Sequence, residues 1–180
     1  MNGISLSRLP LAAKVWCTLF LVGIGCGCVA ALTQAATTVG VSAGEVRARL
    51  GQEPSMTHIG MHEHSAEREI RLEEVHDTER MRIETPLLIQ TSHTHLFGQT
   101  LIAGLLGLVF LFSSLAEARK AAILSLPFVG TLLDIGGMWL TRFVWEPFAT
   151  LVIIGGSTFA LGYALIAIIS LYELWLAKEA

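Results

Sequence analysis

The sequence predicts an all-α, polytopic membrane protein with four transmembrane helices and a helical outer segment between the first and second. Three observations carry this. Of 180 residues, 53% are hydrophobic and only 15% are charged, against about 25% charged in an ordinary soluble domain. The apolar residues gather into four long runs, each able to supply the ~20 residues a helix needs to cross a bilayer. The charge is concentrated. Ten of the fifteen acids and six of the twelve Lys and Arg lie in residues 44–86, and all six histidines lie from His58 to His95. A net charge of −3 offers no basic footprint, so no nucleic acid is expected as a partner. The expected partners are membrane lipid and a membrane protein or complex.

Residues 1–39 read as a cytoplasmic N-terminus and the first transmembrane helix. Arg8 and Lys14 occur without an acid, and an apolar run follows over residues 15–39. That run exceeds the ~7–15 residue core of a secretory signal, so a retained anchor is expected rather than a cleaved leader. Cys17, Cys26 and Cys28 all fall inside it and read as small packing residues. No Cys-x-x-Cys-His occurs, which excludes c-type haem attachment.

Residues 40–92 read as an extracytoplasmic, helical, His-rich segment. Ser42-Ala43-Gly44-Glu45 fits a capping box opening a short helix. Met56, His58, Met61, His62 and His64 follow, a mixture of imidazole and thioether that suits copper, with zinc as the other candidate. Residues 65–84 are dense in Glu and Arg and predict a solvated or partner-bound helix stopped before Pro86.

Residues 93–180 read as a three-helix transmembrane bundle with spans at 95–115, 121–143 and 148–175. The charged links at 116–120 and 144–147 are short, which makes these spans antiparallel neighbours. Arg8, Lys14, Arg119, Lys120 and Lys178 then fall on one side, the cytoplasmic side of a bacterial inner membrane by the positive-inside rule. Both termini are expected there. Trp139, Phe143 and Trp145 would form an aromatic rim at the opposite face.

The chemistry-bearing residues collect at the second and third spans. Asp134 lies about nine residues inside the third span, roughly 13 Å deep at 1.5 Å per residue. A carboxylate there costs ~2.5–3.5 kcal/mol on insertion scales and should face the bundle, with Ser157 or backbone beside Gly155 as its expected partner. Met138 and Arg142 share its face. His93 and His95 are expected at the outer entrance of the second span, with Thr94 as a possible N-cap. The helix N-terminus would then favour the neutral imidazole of His95, and Gln99, one turn on, would fix its tautomer. His95, His93 and Met138 are the candidate ligands of a haem b or a transition metal. Ser157 has no nearby histidine, and neither a Gly-x-Ser-x-Gly elbow nor a phosphate-binding loop occurs, so no catalytic residue is assigned.

His93-Thr94-His95-Leu96-Phe97-Gly98, Leu133-Asp134-Ile135, Trp139-Leu140-Thr141, Ile153-Ile154-Gly155-Gly156 and Ser170-Leu171-Tyr172-Glu173-Leu174-Trp175 resemble a family of small bacterial four-helix inner-membrane proteins. Some similar proteins carry a c-type haem motif in the outer segment. The resemblance therefore implies a redox or haem context, and this chain departs from it by having histidines and no cysteine there. The expected function is a redox-associated membrane protein with a haem or metal site near the outer face. The alternatives are an extracytoplasmic copper- or zinc-handling module and a cofactor-free accessory subunit. The topology is testable. A cysteine placed at Ala118 should resist an impermeant thiol reagent applied from outside, and one at Ser65 should react. Labelling of the first would invert the orientation.

Overall fold

The structure, a computed structural model, describes residues 5–51 and 83–177. A helical turn at Leu6–Arg8 leads into α1 (Leu11–Thr38), followed by α2 (Ala43–Leu50), α3 (Thr85–Phe110), α4 (Glu117–Phe143), a turn at Glu146–Phe148 and α5 (Ala149–Trp175). No strand occurs among the described residues. Four of the helices are long and apolar enough to cross a membrane. Leu6, Cys17, Val109 and Leu174 share one apolar cluster, so the two ends of the described chain lie at one end of the bundle, termed here the terminal end. Val46, Leu50, Leu88, Met138, Ala149 and Val152 form the cluster at the other, the α2 end.

The centre of the fold is the antiparallel α4–α5 pair. In lipid there is little hydrophobic drive to pair helices, and close backbone approach supplies the attraction. A Cβ on Gly162 would lie 2.6 Å from Pro127 Cδ, one on Gly130 would meet the Phe159 backbone, one on Gly155 would meet the Asp134 backbone, and one on Gly137 would lie 2.8 Å from Val152 N. These contacts recur about one turn apart along both helices. Gly155 and Gly162 supply α5's side of the seam, while a Cβ on Gly156 would meet nothing within 4 Å. Pro127 lies inside α4, and its ring is one of the surfaces packed at the seam.

α3 starts ten residues earlier than the polarity of the sequence predicts. Glu84 is its N-cap, Pro86 occupies the first turn, and the helix ends at Phe110 rather than at 115. Proline suits a first turn because the N–H it lacks would be unpaired there anyway. Pro86 therefore opens this helix. The polar stretch after it is packed rather than solvated: Leu88 and Ser92 are buried, and Trp139 Nε1 donates to Ser92 Oγ at 2.8 Å. Thr94, considered as a cap, is inside the helix, its hydroxyl donating to Gln90 O at 2.9 Å. α4 likewise opens at Glu117 rather than 121.

Each end is closed by polar contacts. At the α2 end, Ser42 and Glu45 form the expected capping box. The Ser42 hydroxyl and the amides of Ser42 and Val41 hold the Glu45 carboxyl below its ordinary pKa. Val46 and Leu50 of α2 enter the apolar cluster, and Arg142 Nη1 donates to Gly51 O at 3.0 Å. Ile83 N donates to Arg49 O at 3.0 Å, so the described chain leaves and returns beside the same end of α2. Gly40, with φ at +97°, makes the turn from α1, a conformation glycine adopts freely.

At the terminal end the α3–α4 loop is tied to α5. Glu173 is buried and accepts from Ser113 Oγ at 2.9 Å, Ser114 Oγ at 2.8 Å and Ser114 N at 3.0 Å. Lys120 Nζ donates to Leu111 O at 3.4 Å and pairs with Glu117 at 2.7 Å, and Leu6 N donates to Phe112 O at 3.0 Å. Replacing Glu173 by Leu strands those donors. An unmet buried partner costs about 1–3 kcal/mol, so Glu173→Leu should lower thermal stability in detergent by that order, while Glu173→Gln should keep most of it. Equal melting of Leu and wild type would show that the loop holds itself.

Candidate functional site

The site forms where α3 crosses α4. On α3, Ser92, His95 and Gln99 follow at helical spacing along one face. On α4, Asp134 is nine residues from the end at Phe143, about 13 Å along the axis. His95 is ten residues from the start of α3, about 15 Å, so the two groups meet at one level. Gly155 lets the α5 backbone press against the backbone of Asp134, and the carboxylate is directed to α3. Asp134 Oδ2 lies 3.7 Å from His95 Nδ1, with side-chain exposures of 9% and 43%.

The polar atoms here are incompletely satisfied. His95 Nδ1 and Gln99 Oε1 are buried without a hydrogen-bond partner, and 3.7 Å exceeds the hydrogen-bond range. Each such group costs about 1–3 kcal/mol. A polar cluster at this depth is expensive in a spanning helix, and intramembrane ionisable groups mark function by default. Because Nδ1 is buried while 43% of the side chain is exposed, the exposure falls on the rest of the ring, away from Asp134. Gly98, one turn from His95, has open space where a Cβ would be.

The remaining candidates separate. His93 is exposed and lies against Phe97 with ring centroids 4.8 Å apart and the rings tilted by 46°, turned from His95 as i,i+2 spacing requires. Met138 is packed in the apolar cluster with Leu88 and Val152. Arg142 anchors α2 through Gly51 O. Met56, His58, Met61, His62 and His64 lie outside the described residues. Two expectations are corrected. The helix-terminal field acts within about one turn, and His95 sits well beyond it, because the packed residues 85–94 extend α3. Ser157 is exposed and is not the partner of Asp134; the antiparallel seam puts only the Gly155 backbone beside it.

Sequence reasoning also missed the Glu173 clamp and the buried Lys120. Glu173 carries the same signal as Asp134, an acid within an apolar run, but its position near the end of the run reads as a boundary. Among the described residues, no group of three or more His, Cys, Asp or Glu can hold a metal ion.

A family model for a transmembrane helical domain matches residues 65–180. No curated protein and no solved structure matches the chain.

Asp134→Asn should insert and fold, since it keeps hydrogen-bonding capacity and removes only the charge. Asp134→Leu removes the carboxylate 3.7 Å from His95 Nδ1 and should lower stability by about 1 kcal/mol, since an electrostatic contact and no hydrogen bond is lost. Thermal unfolding in detergent distinguishes them, and indistinguishable melting of Leu and wild type would show that the pair carries no buried interaction.

Proposed function

This chain belongs to a family of transmembrane helical domains, and from that premise we propose that it is a redox-associated membrane protein binding haem b through His95. The observation that carries the reading is the imidazole held between Asp134 and the bundle surface. Nδ1 is buried and faces a carboxylate 3.7 Å away, while 43% of the side chain is exposed. A carboxylate behind one ring nitrogen orients the imidazole, sets its tautomer and raises the basicity of the other nitrogen as a ligand.

The choice of haem over a bare ion rests on ligand number. A structural metal ion needs about four protein ligands and a catalytic one about three, and the described residues offer no group of three. A haem brings four nitrogens of its own and needs only one or two axial side chains. When bound it supplies one-electron chemistry. His95 would hold the haem iron, Asp134 would orient its imidazole, and Gln99, one turn along α3, lies on the same face. Gly98, one turn from His95, has open space where a side chain would stand. In this reading Arg8, Lys14, Arg119 and Lys120 put the terminal end in the cytoplasm, with the α2 end outside.

An absorption spectrum of detergent-purified protein, expressed with haem precursor supplied, tests the proposal. Wild type should show a Soret band with haem b extractable in acid acetone. His95→Ala should lose it while remaining folded. Asp134→Asn should weaken haem affinity by about 10–100-fold, the range for outer-shell partners of a ligating histidine. His93→Ala should have a smaller effect. Haem-free wild type under these conditions, or haem retained in His95→Ala, would overturn the assignment.

A further inference from the structure

α1 is packed along only part of its length. Cys17, Leu21, Ile24 and Cys28 recur at alternating intervals of four and three and so share one face. Cys17 packs in one cluster with Val109, and Leu21 in another with Leu106 and Phe110. Tyr163 Oη donates to Leu21 O at 2.6 Å and Trp175 Nε1 donates to Thr18 Oγ1 at 2.9 Å, which fastens the same half of α1 to α5. Beyond Cys28, towards the α2 end, the packing stops. Every residue from Val29 to Thr37 is exposed, including Ala31 and Ala35, which continue the packed face. A helix lying against a neighbour buries a residue at every third or fourth position, so this stretch stands clear of the bundle. Val39 then packs on the apolar cluster at the α2 end. From Cys28 to Val39 this leaves a cleft beside α1, about 16 Å long at 1.5 Å per residue.

His95 stands at this cleft. On α3, His95, Gln99, Ile102, Leu106 and Val109 follow the same spacing of four and three, so the stripe that meets α1 at Leu106 and Val109 carries His95 and Gln99 nearer the α2 end. α1 and α3 run in opposite directions. Counted along each helix from the Leu21–Leu106 contact, Leu32 and His95 reach one level. Leu32 is 55% exposed and His95 43%, so two faces that meet lower down are both open here. α5 opens on the same side. Gly156 lies two turns from Tyr163, on the face that bonds α1, and a Cβ on Gly156 or on Gly98 would meet nothing within 4 Å.

We infer that this cleft receives the haem ring and that the Cys28–Ala35 face of α1 is the wall opposite His95. The inference rests on His95 as the haem ligand and adds α1 to the site. An imidazole left against hydrocarbon is costly, and a flat apolar ring held by it would cover both the imidazole and the bare face of α1. Gly98, Gly156, Ala31 and Ala35 keep the slot free of side-chain bulk. Left empty, its walls would forfeit dispersion contacts.

Titration of the detergent-purified, haem-free full chain with hemin, followed at the Soret band, tests this. Ala31→Trp fills the cleft from α1, Gly156→Leu fills it from α5, and Ala30→Trp puts the same bulk on the lipid side of α1. The two fillers should weaken haem affinity about ten-fold or more, because side chain and ring compete for one space. Ala30→Trp should stay within about two-fold of wild type, as a surface substitution does. Haem-free wild type and variants should melt alike, since Ala30 and Ala31 are exposed and Gly156 has room for a side chain. If Ala31→Trp does not fold, Gly156→Leu decides. Wild-type affinity in both fillers, with binding lost in His95→Ala, would put the haem on His95 but outside the cleft and overturn this inference alone. Equal weakening by Ala30→Trp would overturn it too. A wild type without a Soret band would overturn the His95 reading and this one with it.

Discussion

The α4–α5 seam is the constraint on which the rest depends. Three backbone contacts, at Gly130 with Phe159, Asp134 with Gly155 and Gly137 with Val152, and a fourth of Gly162 against the Pro127 ring, bring the two helices so close that a Cβ at any of these glycines would collide. Dispersion is short-ranged, so such proximity is where apolar helices gain most in a solvent as apolar as themselves. The seam also dictates direction. With α5 pressed on the backbone of Asp134, the carboxylate is left to α3, where His95 waits at the same level. Remove the close approach and the polar pair has no reason to be aligned.

Around that seam the other elements are held by a few polar pins rather than by broad apolar faces. Trp139 to Ser92 locates α3 against α4. Glu173 holds the α3–α4 loop. Arg142 holds the end of α2, and Tyr163 with Trp175 holds α1. Each pin satisfies a group that would be costly to leave unmet in an apolar medium. Among the described residues the exceptions are His95 Nδ1, Gln99 Oε1 and Ser170 Oγ. Two of the three lie one turn apart on α3 with the Asp134 carboxylate beside them, and that concentration is the structural basis for looking there for a ligand.

The same economy explains the placement of α1. α1 is mostly lipid-facing, with Leu11, Leu19, Val29 and Leu32 exposed, and its position is decided by contacts to α5. Its contacts with α3 are apolar, Leu21 in one cluster with Leu106 and Phe110 and Cys17 in another with Val109.

Sequence alone determined the four apolar runs, the short antiparallel links, the Ser42–Glu45 cap and the intramembrane acid, because each is a local property: length, hydrophobicity, spacing or depth. It misjudged where α3 begins, because polar residues 90–94 look solvated until Trp139 and the packed face of Ser92 are brought beside them. It could not choose between Ser157 and the backbone beside Gly155 as the partner of Asp134, and it did not bring His95 to that carboxylate. Those choices turn on rotation about a helix axis, roughly 100° per residue. An apolar helix surrounded by lipid carries almost no polarity signal to reveal that angle. Only the packing of α3, α4 and α5 decided which faces meet.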